Sequence, residues 1–476
     1  MFLTILTYEV KLLARSKWLL LLFSIVLLLL AFAAYNGTKN INKRLADIAV
    51  INQEFLEKDQ QMVTMLQKIE AGEELAIPYW KSPSEPMTVG NRYPRLATMP
   101  PEALSFIATG QSDMYTHFKS PRIYGTKLAL DYGEMVNPVQ LLFGNFDIAF
   151  VIIYIIPLII IAFTYNILSK EKELGTLRLL SSQPLSTFKW LLQKTGIRFV
   201  IFNSISSLIL WVVITIFSLP DTINQTSLLG LLVLTSTYQL FWFVLSFIVA
   251  IKINNSSKNA LTLIGLWLLL VLVVPATLNQ LGNALYPSPS RLKMINEIRL
   301  IKKENEKNQD EIMDSYLRSH PELVEGSNQE QFGFWHNYFA SEQAIEEKTT
   351  PFIKRYNSQL KKQQQLLRTF QFLSPALLMQ QSLNNLAASS ELHYNDFKKQ
   401  VFEFSLKWRN FLVPMLFKQQ KFSLSDYDEL PKFSYKNNIK NDVWNTSLFL
   451  LFINGIVLIA FIGRRLLHKA PDHFLE

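Results

Sequence analysis

Six runs of apolar residues recur along the chain, at roughly 18–35, 147–168, 199–219, 227–251, 260–279 and 445–463. As helices rising about 1.5 Å per residue, each is long enough to cross a hydrocarbon layer about 30 Å thick. None carries a charged residue near its middle, as the cost of burying unpaired charge in lipid requires. The chain therefore reads as an all-α polytopic membrane protein with six transmembrane helices. Its 49% of hydrophobic residues decides this through clustering, since a soluble protein can reach the same total.

The formal net charge of +9 sorts by loop. Lys11, Arg15 and Lys17 precede the first run, and Lys170, Lys172, Arg178, Lys189 and Lys194 lie between the second and third. Lys252 and Lys258 follow the fourth, and Arg464, Arg465 and Lys469 follow the sixth. The connection PDTINQT has none. The positive-inside rule then places both termini in the cytoplasm of a multi-pass protein of the bacterial inner (cytoplasmic) membrane. The basic charge orients the chain and does not point to a nucleic-acid partner. The first run lacks a small-residue cleavage site and reads as a retained signal anchor.

This orientation divides the chain into five parts. Residues 1–35 hold the first span behind MFLTILTYEVKLLARSK, which is either a helix lying in the cytoplasmic interface or an extension of the span. Residues 36–146 form a first extracytoplasmic insertion, 147–279 the second to fifth spans, 280–444 a second insertion, and 445–476 the last span and tail. The first insertion opens with Ile41, Ile48, Phe55, Met62 and Ile69 at seven-residue spacing, which predicts an amphipathic helix packed on a partner helix. The proline-rich stretch after it is unsuited to regular helix. The second insertion is mainly helical, with breaks expected near Pro321, Pro351 and Pro375.

Catalytic and metal-binding patterns are missing from the sequence. It has no cysteine, so disulfide, thiol and Cys-ligated metal chemistry are excluded. Its six histidines, His117, His320, His336, His393, His468 and His473, show no i, i+4 pair, and we expect them at surfaces or interfaces. No GxxxxGK[ST], GxSxG or HExxH occurs. This polypeptide is expected to be no enzyme, with no metal and no cofactor of its own.

One loop is more patterned than a turn between spans requires. Residues 169–186, SKEKELGTLRLLSSQPLS, offer Leu174, Leu177 and Leu180 as an apolar stripe on a short cytoplasmic helix. Glu171, Glu173 and Arg178 keep its other side wet, Gly175 permits close approach of another surface, and Pro184 ends it. Such a helix suits a groove on another protein, or else dips its leucines into lipid.

The stretch LSKEKELGTLRLLSSQPLS resembles the cytoplasmic loop of ABC-2 type transporter permeases. Glu171, Lys172 and Glu173 match that family's charged triplet; Gly175, Thr176 and Leu177 match its GTL; Pro184, Leu185 and Ser186 match its ending. The similarity extends to NPVQLLFGNFDIAFVIIYIIPLIIIAFTYNIL, to PPEALSFIATGQSDMY and to 372–417, as in the subgroup carrying a domain of unknown function between its last two spans. The resemblance implies an exporter's permease subunit, with 169–186 as its ATPase-coupling helix through Glu171, Glu173, Gly175, Thr176, Leu177, Leu180 and Pro184. It implies two copies of a separate ABC ATPase that binds ATP and Mg, and a second permease, identical or similar. The alternative from another class is a membrane-anchored scaffold or sensor whose external helices bind a partner without transport.

Within the spans, Asn203 and Ser207, with Thr235 and Gln239, either line a pathway or pack helices together. The topology is directly testable. A reporter fused at Gly72 or Gly326 is expected to behave as periplasmic, and a cytoplasmic signal from either site would contradict the six-span arrangement.

Overall fold

The computed structural model describes residues 2–15, 17–73, 76–110, 112–123, 145–177, 187–218, 224–287, 291–305, 309–323, 333–440 and 442–467. Apart from one pair of two-residue strands, its regular elements are helices. A short helix α1 (Phe2–Arg15) precedes α2 (Lys17–Glu70), which runs unbroken for 54 residues, about 80 Å. The first apolar run and the seven-residue repeat are therefore two halves of one rod, because no proline separates them. At the junction, Gly37 lets the Phe106 carbonyl come so close that a Cβ there would collide with its oxygen. Asn36 Nδ2 donates to the Phe146 carbonyl at the same level, 3.0 Å.

The chain continues through α3 (Pro86–Arg92) and the antiparallel pair β1 (Ala97–Thr98) and β2 (Phe118–Lys119). Four apolar helices follow: α4 (Ile148–Glu173), α5 (Thr187–Phe217), α6 (Gln225–Lys252) and α7 (Ser256–Leu285). Beyond them come α8 (Arg291–Asn305), α9 (Gln309–Ser319), α10 (Phe334–Phe370), α11 (Pro375–Leu386), α12 (Glu391–Phe417), α13 (Leu424–Glu429) and α14 (Val443–Leu467). Six described helices (α2, α4, α5, α6, α7 and α14) are long and apolar enough to cross a membrane.

Two of these helices widen to π turns ahead of a proline, Val151–Ile155 before Pro157 and Leu268–Val273 before Pro275. A proline has no N–H to return to the preceding turn, so a carbonyl there is freed. Neighbouring hydroxyls supply the missing donors. Tyr238 Oη donates to Ile153 O at 2.9 Å, and Ser374 Oγ donates to Leu270 O at 2.6 Å. In an apolar bundle each such carbonyl would otherwise go unsatisfied at a cost of several kcal/mol.

The largest core joins the apolar halves of α2, α4, α5, α6 and α7 with α11 and α14. A second core lies around the far end of α2, where Met62 and Leu66 meet Trp408, Leu412 and Phe417. Of the seven-residue repeat, Ile48 and Met62 are buried and Ile41, Phe55 and Ile69 half-buried, so this chain itself covers the expected edge. Hydrogen bonds knit the two insertions together. Trp408 Nε1 donates to Gly90 O at 3.3 Å, Arg409 Nε to Ile123 O at 3.0 Å, and the Phe422 N–H to Ser84 O at 2.7 Å.

Two expectations need correction. The helix breaks near Pro321 and Pro375, but α10 runs through Pro351. There Thr350 Oγ1 donates to Glu346 O at 2.6 Å, and Arg409 holds the Glu346 carboxylate at 2.6 Å, so tertiary contacts outweigh the local break. His336 and His393 are buried rather than superficial, and His117 is partly buried. His468 and His473 lie outside the described residues.

Those three histidines make the fold sensitive to acid. Burial and the nearby Arg44 charge push His117 down to about 3, and burial also lowers His336 and His393. An unfolded histidine protonates near pH 6.5, so below that value the unfolded chain takes up more protons and stability falls as pH falls. The stabilisation is fully present above about pH 6.5 and is lost as pH falls below it, down to about 3 for His117. The thermal midpoint of the detergent-solubilised protein is expected to fall on acidification from neutral pH, and less so in His117→Gln. A midpoint independent of pH would contradict this.

Candidate coupling surface at the basic end of the bundle

The end of the bundle that carries α1 is built from charges flanking apolar runs. Arg198, immediately before the apolar run of α5, is buried, and its Nε donates to Glu9 Oε1 of α1 at 2.6 Å. Its Nη1 donates to the Phe163 carbonyl of α4 at 2.9 Å, and the guanidinium stands 5.3 Å from the Phe163 ring centre. One arginine thus fastens α1 and α4 to α5. This gives α1 a place of its own, separate from α2.

The patterned loop attaches beside this clamp. After α4 turns at 165–168, its last segment, Ser169–Glu173, ends at Gly175, whose φ is +74°. The Gly175 N–H donates to Lys172 O at 3.0 Å, closing the helix end. Among the described residues no atom lies within 4 Å of where a Cβ would stand, so the left-handed backbone, not crowding, calls for glycine. The helix expected to run through 169–186 is therefore divided at Gly175. Leu180 and Pro184 fall outside the described residues.

The acidic pair is engaged within the chain. Glu171 accepts from Lys194 Nζ of α5 at 3.0 Å and from the Thr176 hydroxyl. Lys194 also stands 4.6 Å from the Trp190 ring centre. Glu173 Oε1 accepts the Ser256 N–H at the start of α7, 2.9 Å, where a carboxylate favours the free amides of a helix N-terminus. Ser169 Oγ meets Ser256 Oγ at 2.8 Å, and Asn259 Nδ2 donates to Tyr165 O at 3.1 Å. The loop is thereby tied to α5 by Glu171 and to α7 by Glu173.

The leucines divide as well. Leu177 is 4% exposed and packs with Ile167, Leu168, Trp190, Leu191 and Phe247. Leu174 is 66% exposed, and Leu192 on α5 is also exposed. The turn at Gly175 sends one leucine into the bundle and leaves the other on the surface, so the expected single stripe is split.

Among the candidates within the apolar helices, Gln239 is fully buried and exchanges hydrogen bonds with Ser206 across α6 and α5, at 3.0 and 3.2 Å. Asn203 Oδ1, Ser207 Oγ and Thr235 Oγ1 are sealed from solvent with no hydrogen-bond partner among the described residues. Gln239 thus bridges α6 and α5. The residues that sequence reading passed over are Glu9, Lys194, Arg198, Ser256 and Asn259. The available signal was a lone acid among the basic residues of the first 17, and a basic pair within an apolar helix start. No group of three metal-ligating side chains occurs among the described residues.

A family described as a domain of unknown function (DUF3526) matches residues 291–436, the insertion between the fifth and sixth apolar helices. No curated protein matches the chain.

The clamp has a measurable energy. Arg198→Met leaves Glu9 buried without a partner and is expected to cost about 3–5 kcal/mol. The double variant Glu9→Gln, Arg198→Met should recover part of this, seen as a higher thermal midpoint in detergent than the single variant. A double variant no more stable than Arg198→Met would contradict the pairing.

Proposed function

We propose that this chain is the permease subunit of an ABC-2 type exporter in a bacterial inner membrane, with both termini cytoplasmic. A separate ATPase subunit, present in two copies, binds ATP and Mg and docks at the loop 169–186. A second permease, identical or similar, completes the channel. The observation that carries this reading is the loop itself. Its sequence follows the family's pattern, and its acidic pair is tied to two apolar helices while Leu174 stays exposed beside them.

The geometry suggests how a push would travel. Force on the loop passes through Glu171 and Lys194 to α5, and through Glu173 and Ser256 to the start of α7. Arg198 adds α1 to the moving group through Glu9. The Glu171–Lys194 and Glu9–Arg198 pairs are partly buried and resist separation more than exposed pairs, which suits transmission. The roles of the loop residues then separate. Glu171, Thr176 and Glu173 hold the loop on its helices, Gly175 supplies the turn, Leu177 anchors it in the bundle, and Leu174 faces the partner.

Leu174→Asp is expected to leave membrane abundance and thermal midpoint unchanged while lowering ATPase co-purification and stimulated hydrolysis about tenfold or more. Leu177→Asp buries a charge in an apolar cluster and is expected to lower abundance itself. Unchanged ATPase retention in Leu174→Asp would contradict docking at this face. Absence of any nucleotide-binding partner in pull-downs from native membrane would favour a scaffold or sensor.

A further inference from the structure

The region matched by the domain of unknown function holds an unassigned groove between α10 and α12. The two helices run antiparallel and are tied at two levels. Arg409 Nη2 meets Glu346 Oε2 at 2.6 Å at the far end, and Gln364 hydrogen-bonds the Glu391 carboxylate nearer the bundle. Between the ties the helices part, leaving a cavity of about 640 Å³, within the range of small-molecule sites. From Thr350 to Arg368 the groove is about 27 Å long.

Its lining is amphipathic. Ile353, Leu360, Leu392 and Phe402 give it apolar walls, and Asn357, Gln364 and Asn395 add neutral amides. Lys354, Lys361 and Arg368 stand along one lip, with Lys398 and Lys399 on the other. Both ties follow one antiparallel register, which sets Lys398 opposite Asn357, between Lys354 and Lys361. Lys398 Nζ lies 5.2 Å from the Tyr394 ring centre on its own helix, so Lys354 and Lys361 flank the middle of the groove from one side and Lys398 from the other. Of the five cations, only Lys399 forms an ion pair among the described residues, an exposed one with Glu403 at 3.8 Å. The groove's five cations stand against two carboxylates: Glu346, engaged by Arg409, and Glu391, bonded to Gln364; burial raises Glu391 and works in the same way against the charge on Lys398. Its balance is cationic.

The foot of the groove stands on the apolar bundle. Ser374, just beyond α10, is bonded to Leu270 within α7, and α11 packs in the main core. Phe370, Phe372 and Leu373 are 39%, 48% and 44% exposed at this foot. From Phe370 up to the level of Lys398 is about 20 Å along α10. One leaflet's hydrocarbon is about 15 Å deep. An acyl chain could therefore keep contact with the foot while its headgroup rests among the three lysines.

We infer that this groove binds a lipid with an anionic headgroup, drawn from the leaflet on the insertion side, its headgroup held by Lys354, Lys361 and Lys398. This rests on the proposed membrane orientation and narrows the transported class to anionic amphiphiles.

The test uses the full chain in vesicles of phosphatidylcholine with or without a photoactivatable phosphatidylglycerol. The expected result is covalent labelling within 350–402, and binding of phosphatidylglycerol but not of phosphatidylcholine. Lys354→Gln, Lys361→Gln and Lys398→Gln together should lower that binding about tenfold, while Lys303→Gln with Lys407→Gln, outside the groove, should not. Displacement of the lipid by inorganic phosphate would assign the site to a free anion and overturn the lipid source. Labelling confined to other peptides, or equal binding of both lipids, would overturn the groove as the site; this readout in the unsubstituted chain holds even if the triple variant fails to fold. ATPase retention, measured in parallel, keeps the two readings apart. Retention without lipid labelling would refute the groove alone, and labelling without retention would refute the coupling alone.

Discussion

A charge that cannot enter hydrocarbon has to be settled at the ends of the apolar helices, and Arg198 is where this chain does so. Buried where the apolar run of α5 begins, it is neutralised by Glu9 and caps the Phe163 carbonyl. Either bond alone would leave the guanidinium under-satisfied in a place where desolvation is costly. Together they fix α1, α4 and α5 at one level. The Lys194–Glu171 and Ser256–Glu173 contacts then form within reach of that level and fix the patterned loop. The basic end of the bundle is held by polar contacts that each join different helices.

The opposite end obeys the same rule with neutral groups. Pro157 and Pro275 free carbonyls inside apolar helices, and hydroxyls from Tyr238 and Ser374 reach them. The second of these bonds also fastens the insertion to the bundle, because Ser374 joins α10 to α11. A movement of α7 would accordingly reach both ends. Glu173 holds its first residue near the loop, and Ser374 holds its π turn beneath the groove. On the proposed reading, this helix connects the ATPase side with the lipid-facing side.

Much of this was legible in the sequence because it depends on local pattern. The six apolar runs reappear as six long apolar helices, and the seven-residue repeat reappears as the far half of α2. Pairings between distant segments were not legible. Nothing near Glu9 indicates residue 198, and nothing near Glu173 indicates Ser256. Gly175 was read as a place for close approach, but its left-handed backbone shows a turn, which splits Leu174 from Leu177. Pro351 was read as a break, yet packing on both sides carries α10 through it. His336 and His393 were read as surface or interfacial residues because no spacing reveals burial under another segment.

The central claim is that the loop around Leu174 is the contact through which a separate ATPase acts on the bundle. The most direct measurement places a photo-cross-linking amino acid at position 174 in native membranes and identifies what it captures. The account predicts a covalent adduct with a P-loop ATPase, and none when the same group replaces the buried Leu177. Capture of lipid alone from position 174, in membranes where the ATPase is present, would contradict it.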